Sequence, residues 1–149
     1  MASSWKQNGL IEAPVEQVWS LISDPSRFPE WSPASIAVTG VPTKIEEGAS
    51  FEIKSRGPLG LKPTTTFEVT ELDEMRTIKL RCQTSGYYSR WVLTAARGAT
   101  FAEVELGMEP FDTGSRIVGL AQTKGHLRRI AEGSLDGLCT VLDRGPTRK

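Results

Sequence analysis

Few residues of this chain are equipped for chemistry, and most of them cluster. Its 149 residues include one histidine, His126, so no metal site can pair two imidazoles. Any Ser-His-Asp or Cys-His scheme would have to run through that position. On a helical wheel His126 falls away from the apolar stripe of its segment and reads as a solvated surface side chain. Cys82 and Cys139 share no short motif and are too few for a disulfide framework or a structural zinc site, so both read as reduced, packed thiols. The strongest polar concentration is Tyr87-Tyr88-Ser89-Arg90-Trp91. In a strand, Tyr88 and Arg90 share one face, and Tyr87, Ser89 and Trp91 the other. Either face offers aromatic surface and a hydroxyl, and the first adds a guanidinium. A cation buried among apolar walls needs an anionic or hydrogen-bonding partner, such as a carboxylate, enolate or phenolate ligand. The alternative for Arg90 is an exposed cross-strand ion pair with an acid such as Glu103 or Glu105.

Lys124 joins this set because it projects onto the same helical face as Leu120, Leu127 and Ala131. It is expected to reach an internal cavity shared with aromatic side chains of a sheet, the alternatives being that the helix bends locally at Gly125 or that Lys124 snorkels past the sheet edge. Trp31, bracketed by Pro29 and Pro33, is either a core plug or a cavity wall. The candidate ligand-binding residues are therefore Trp31, Tyr88, Arg90, Trp91 and Lys124. No catalytic residue is assigned, and neither a metal nor a cofactor is expected.

The elements that must position these residues begin with the last helical pattern, Ile117 to Arg144. Ile117, Leu120, Ala121, Leu127, Ile130, Ala131, Leu135, Leu138, Val141 and Leu142 recur by threes, fours and sevens on one face. Four glycines inside it, each costing up to about 1 kcal/mol relative to alanine, mean that tertiary packing must hold this helix. At the other end, a strand over Ser4 to Glu12 runs into Pro14, which suits the first position of a helix ending near Ser23. Asp24-Pro25 repeats that start signal for a short second helix. Between them, six strands are predicted: Ser35 to Thr39, Ala49 to Arg56, Thr64 to Leu72, Arg76 to Thr84, Tyr87 to Arg97 and Ala99 to Glu109. Turn-formers separate them, notably Gly57-Pro58-Leu59-Gly60, Gly86 and Gly98. Short gaps imply hairpins, hence an antiparallel meander with one wet face. The predicted class is α+β, a strongly curved antiparallel sheet closed over one long C-terminal helix.

Two loops could form a mouth. Arg56 to Pro63 carries two leucines between glycines, as a lid or partner contact or as a loop folded back on its own sheet; 110–115 leads into the long helix, where Asp112 and Ser115 suit capping.

Composition narrows the function classes. Lys+Arg and Asp+Glu are both 18, so there is no global electrostatic case for nucleic acid or an anionic membrane. The 38% hydrophobic content is that of a folded domain. No apolar run approaches the roughly 18 residues of a membrane span, and the first residues lack a signal-peptide core. The expectation is one cytoplasmic domain over residues 1–149.

The run Ile11-Glu12-Ala13-Pro14-Val15-Glu16-Gln17-Val18-Trp19, followed by Asp24-Pro25 and Phe28-Pro29-Glu30-Trp31-Ser32-Pro33, resembles the start of the polyketide cyclase/dehydrase family. That family belongs to the START-like, or Bet v 1-like, helix-grip superfamily. The resemblance implies seven antiparallel strands gripping the long helix, two short helices plugging one end, and an apolar cavity for a lipid, a polyketide or another hydrophobic small molecule. These opening motifs are structural, so the fold leaves function open. Three readings follow. The first is a binding module for a hydrophobic small molecule. The second is a metal-independent cyclase or dehydratase, with Arg90 or Lys124 stabilising an enolate and a tyrosine donating a proton. The third is a regulatory or protein-interaction domain with a vestigial cavity. Partners are then a hydrophobic small molecule, with homodimer formation left open.

Overall fold

In the computed structural model, residues 4–56, 58–109 and 124–143 are described. Strand β1 (Ser4–Ile11) leads into helix α1 (Val15–Ile22). A 3-10 turn (Pro25–Arg27) then runs directly into the single-turn helix α2 (Phe28–Trp31). Pro14 sits one position earlier than expected, as the N-cap in extended conformation, because β1 delivers the chain at that angle. Asp24 caps the second start as expected, its Oδ1 accepting from the Ser26 backbone N–H at 3.1 Å.

The strands β2 (Ser35–Thr39), β3 (Ser50–Ser55), β4 (Thr64–Asp73), β5 (Thr77–Cys82), β6 (Tyr87–Ala96) and β7 (Ala99–Met108) form the predicted meander. Sheet order is β1-β7-β6-β5-β4-β3-β2, antiparallel throughout, so the two helices after β1 carry the chain from one edge to the other. Arg97 and Gly98 (φ 54° and 83°) join β6 to β7 between the paired Ala96 and Ala99. That is the left-handed two-residue turn whose twist matches a hairpin. Register shifts in β2 and at Thr70 of β4 help curl the sheet into a half-barrel.

The inner face is apolar by alternation. Phe51 and Ile53, Phe67 and Val69, Ile78 and Leu80, Trp91 and Leu93, and Val104 and Leu106 are all buried. Helix α3 (Lys124–Asp143) closes it with Leu127, Ala131, Leu135 and Leu138, all buried. This is the helix-grip fold. The expected helix residues 117–123 and 144 lie outside the described residues. Among the described residues α3 packs chiefly on β1 and α2, then on β7 and α1. Cys82 is buried as expected, but Cys139 is exposed, because it faces away from the stripe that Leu138 sends inward. Among the described residues no helix is long and apolar enough to cross a membrane.

Candidate functional site

Helix α2 packs between α3 and β2 and reaches over the sheet with Phe28 to Phe51 of β3 and Trp31 to Trp91 of β6, and a void of about 70 Å³ remains there. Ile78, Leu80, Trp91, Val104 and Leu106 form its sheet wall. Phe28 and Trp31 come from α2, and Ile130 and Ser134 from α3. Trp31 is fixed twice over. Its indole N–H donates to the Leu21 carbonyl at 3.3 Å, and its ring meets Trp91 edge-on at 5.6 Å and Phe28 at 5.4 Å. Two glycines on α3 let α2 come so close. A Cβ on Gly137 would lie 1.9 Å from the Trp31 carbonyl oxygen, and one on Gly133 2.9 Å from Cγ of Pro33.

The polar lining is hydroxyl. Ser32, Ser35, Ser55, Ser89, Ser134 and Tyr87 contribute, and no charged side chain does among the described residues. Ser35 donates to Ser32 at 3.3 Å. Tyr87 is held by its backbone N–H donating to Ser85 Oγ at 3.1 Å and by Phe67 edge-on at 6.4 Å. Although part of its surface is exposed, its phenol lies deep, and burial pushes its pKa well up. The group is therefore a neutral hydrogen-bonding phenol. Among the described residues the lining contains no acid–base pair. Its volume is that of about two liquid waters, against roughly 300–1,000 Å³ for a ligand pocket. A sizeable guest must displace wall residues.

Of the candidate residues, Trp31 and Trp91 line this void. Tyr88 and Arg90 do not: the alternation of β6 sends Tyr87, Ser89 and Trp91 inward and Tyr88 and Arg90 to the outer face. Placing either residue in the cavity is therefore corrected. Arg90 forks onto Glu71 at 2.9 and 3.1 Å, rather than pairing with Glu103 or Glu105. The register shift at Thr70 brings Glu71 opposite Lys79, itself opposite Arg90, so the guanidinium reaches across β5. The Arg90 hydrogen bond holds the Glu71 carboxyl below its ordinary range. Tyr88 is buried even on the outer face because Gly107 leaves a hollow for its ring. Its hydroxyl donates to Glu105 at 2.9 Å, and Lys79 Nζ sits 4.6 Å from the ring centroid. Burial first, then that Glu105 contact, pushes its phenol up.

The side chain of Lys124 and the loop 110–115 lie outside the described residues. His126 is half-buried and engaged, rather than fully solvated. Among the described residues no three His, Cys, Asp or Glu side chains group to hold a metal. Sequence reasoning missed Phe28, Phe67 and the serines as cavity residues. Ser55 continues the inward phase of Phe51 and Ile53, and Ser134 lies within the α3 stripe, so the signal was periodicity applied to small polar residues.

Arg90→Met tests the outer-face placement. An ion pair this exposed stabilises by at most about 1 kcal/mol. The depressed Glu71 contributes stability above its ordinary value of 4.5, lost as pH falls through its lower folded value. Denaturation of Arg90→Met should therefore differ little from wild type at pH 7 and less at pH 3. Affinity for any cavity ligand should be unchanged, and a tenfold loss would return Arg90 to the site.

A family model described as "Polyketide cyclase / dehydrase and lipid transport" matches residues 7–143. No curated protein matches the chain in sequence. Among solved structures, the ZhuI aromatase/cyclase from Streptomyces sp. R1128 superposes with a TM-score of 0.76 at 14% identity, covering 97% of this chain and 95% of that one. The di-domain aromatase/cyclase StfQ of the steffimycin biosynthetic pathway gives 0.71 at 15% identity, over 97% of this chain and 51% of that one. Protein Ms6760 from Mycobacterium smegmatis gives 0.68 at 19% identity, over 95% and 91%. At these identities the structural likeness establishes the fold alone.

Proposed function

The chain belongs to the polyketide cyclase/dehydrase and lipid transport family, and from that premise we propose that it binds an uncharged, hydrophobic small molecule, lipid or polyketide-like, in the cavity beneath α2. The observation that carries this reading is the lining itself. Trp31, Trp91 and Phe28 supply flat apolar surface, while Ser89, Ser134 and Tyr87 supply neutral hydrogen-bonding groups. A carboxylate guest would find no cation there among the described residues. A hydroxylated ring system would find both contact area and partners.

The test uses the protein's own fluorescence, since two of its four tryptophans line the void. Titration with 2-naphthol and with a hydroxyanthraquinone should shift the emission and raise the melting temperature as ligand exceeds its Kd. Ser89→Val, which removes one hydroxyl from the wall, should weaken binding by about tenfold. If neither these probes nor a long-chain alcohol shifts emission or melting, the void is a packing remnant. The reading as an interaction domain would then take its place.

A metal-independent cyclase or dehydratase is the second reading, favoured by Tyr87. A neutral phenol in the cavity wall can donate a hydrogen bond to a developing enolate oxygen or a leaving hydroxyl. Tyr87→Phe separates the two. A carrier keeps most of its affinity and has no turnover to lose, whereas an enzyme loses turnover by about a hundredfold or more with binding retained.

A further inference from the structure

The cavity rim continues into the hairpin between β3 and β4, and the tip of that hairpin is the sharpest apolar projection among the described residues. Leu59 is 97% exposed and Leu61 62% exposed. Leu59 (φ 58°) and Gly60 (φ 76°) are both left-handed, so the chain reverses with a leucine where glycine would carry no strain. The base is firmly tied. The Ser55 N–H donates to the Pro63 carbonyl at 2.9 Å, the Arg56 N–H to the Ala34 carbonyl at 3.0 Å, and Arg56 Nε to the Pro33 carbonyl at 3.2 Å. Ala34 and Ser55 themselves line the cavity. The tip is thus anchored to the rim.

Its charge is one-sided. Residues 53–67 hold three cations, Lys54, Arg56 and Lys62, and no acid, in a chain whose basic and acidic residues are equal in number, so the rest of the chain is net acidic. All three are exposed, and no salt bridge among the described residues engages them. We propose that this tip is a membrane-docking surface: Leu59 and Leu61 enter the acyl boundary of an anionic lipid bilayer while Lys54, Arg56 and Lys62 meet its headgroups. Leucines outermost and cations behind them follow the layering of a bilayer, apolar within and anionic at the surface. A protein partner would instead have to receive the two projecting leucines in a groove of its own. Docked in this way, the cavity rim faces the layer in which a hydrophobic guest dissolves. Docking does not depend on what the cavity holds.

Sedimentation with sucrose-loaded vesicles, without added ligand, tests it. Vesicles of equal parts phosphatidylglycerol and phosphatidylcholine should capture the protein about a hundredfold better than phosphatidylcholine alone. That preference should shrink as salt is raised. The double variant Leu59→Ser/Leu61→Ser should partition at least about tenfold more weakly with an unchanged melting curve. In Leu59→Trp, the emission of the added indole should move to the blue on anionic vesicles. Wild-type protein left in the supernatant with both vesicles, or serine variants that sediment like wild type, would overturn the proposal. Retention on polyglutamate without vesicle binding would also overturn it, assigning the tip to an acidic protein. Either failure leaves the cavity titrations untouched, so the two readings stand or fall separately.

Discussion

Gly137→Ala is expected to destabilise the fold by about 2–3 kcal/mol, although alanine is the better helix former by up to about 1 kcal/mol. The reason is backbone against side chain: the new Cβ would sit 1.9 Å from the Trp31 carbonyl oxygen and 2.8 Å from its carbon. Neither atom can rotate away, so α2 must move as a body and take Phe28 and Trp31 with it. For a chain of this length such a loss lowers the melting temperature by roughly 5–10 °C. Tryptophan emission should shift as the cavity wall is displaced. Gly125→Ala is the matched control on the same helix, where among the described residues a Cβ meets nothing closer than Arg129 Nη1 at 4.0 Å. It should leave stability unchanged or slightly raised. If both variants melt together, α2 is not wedged against α3 as described.

Trp91→Ala should cost about 3–5 kcal/mol, the range for deleting a large aromatic from a packed core. Its second consequence is functional. Removing the indole joins its volume to the existing void, so bulky neutral ligands that wild type admits only by moving its wall should enter freely. The variant should therefore be less stable without ligand, yet stabilised more by a saturating hydroxyanthraquinone than wild type is. Calorimetric melting with and without ligand reads both effects. Equal ligand-induced shifts in the two proteins would place the binding site elsewhere.

These two predictions rest on different levels of information. The burial of Leu127, Leu135 and Leu138, the strands themselves and the antiparallel meander from β2 to β7 were legible from spacing, whereas the family resemblance supplied the seven-stranded sheet that includes β1. Alternation and three-four periodicity are local properties that survive into the fold. The pairing of Tyr87, Ser89 and Trp91 on one face and Tyr88 and Arg90 on the other was equally legible. Which face turned inward was not. That depends on the register of β6 against β5 and β7, and a shift of one residue would exchange the two sets.

The amino-acid sequence by itself thus determined the elements, their order, the curled sheet and the apolar stripe of the last helix. Only tertiary structure decided that α3 leans toward β1 and that α2 wedges between α3 and β2, with Trp31 against Trp91. That choice turns on Gly133 and Gly137, whose missing side chains admit Pro33 and Trp31. It likewise decided that Arg90 serves an outer ion pair with Glu71, because a register shift in another strand brings that carboxylate within reach. Local patterns report what each residue prefers beside its chain neighbours. The site is built from contacts between residues far apart in sequence, and close approach at two glycines sets which of those contacts form.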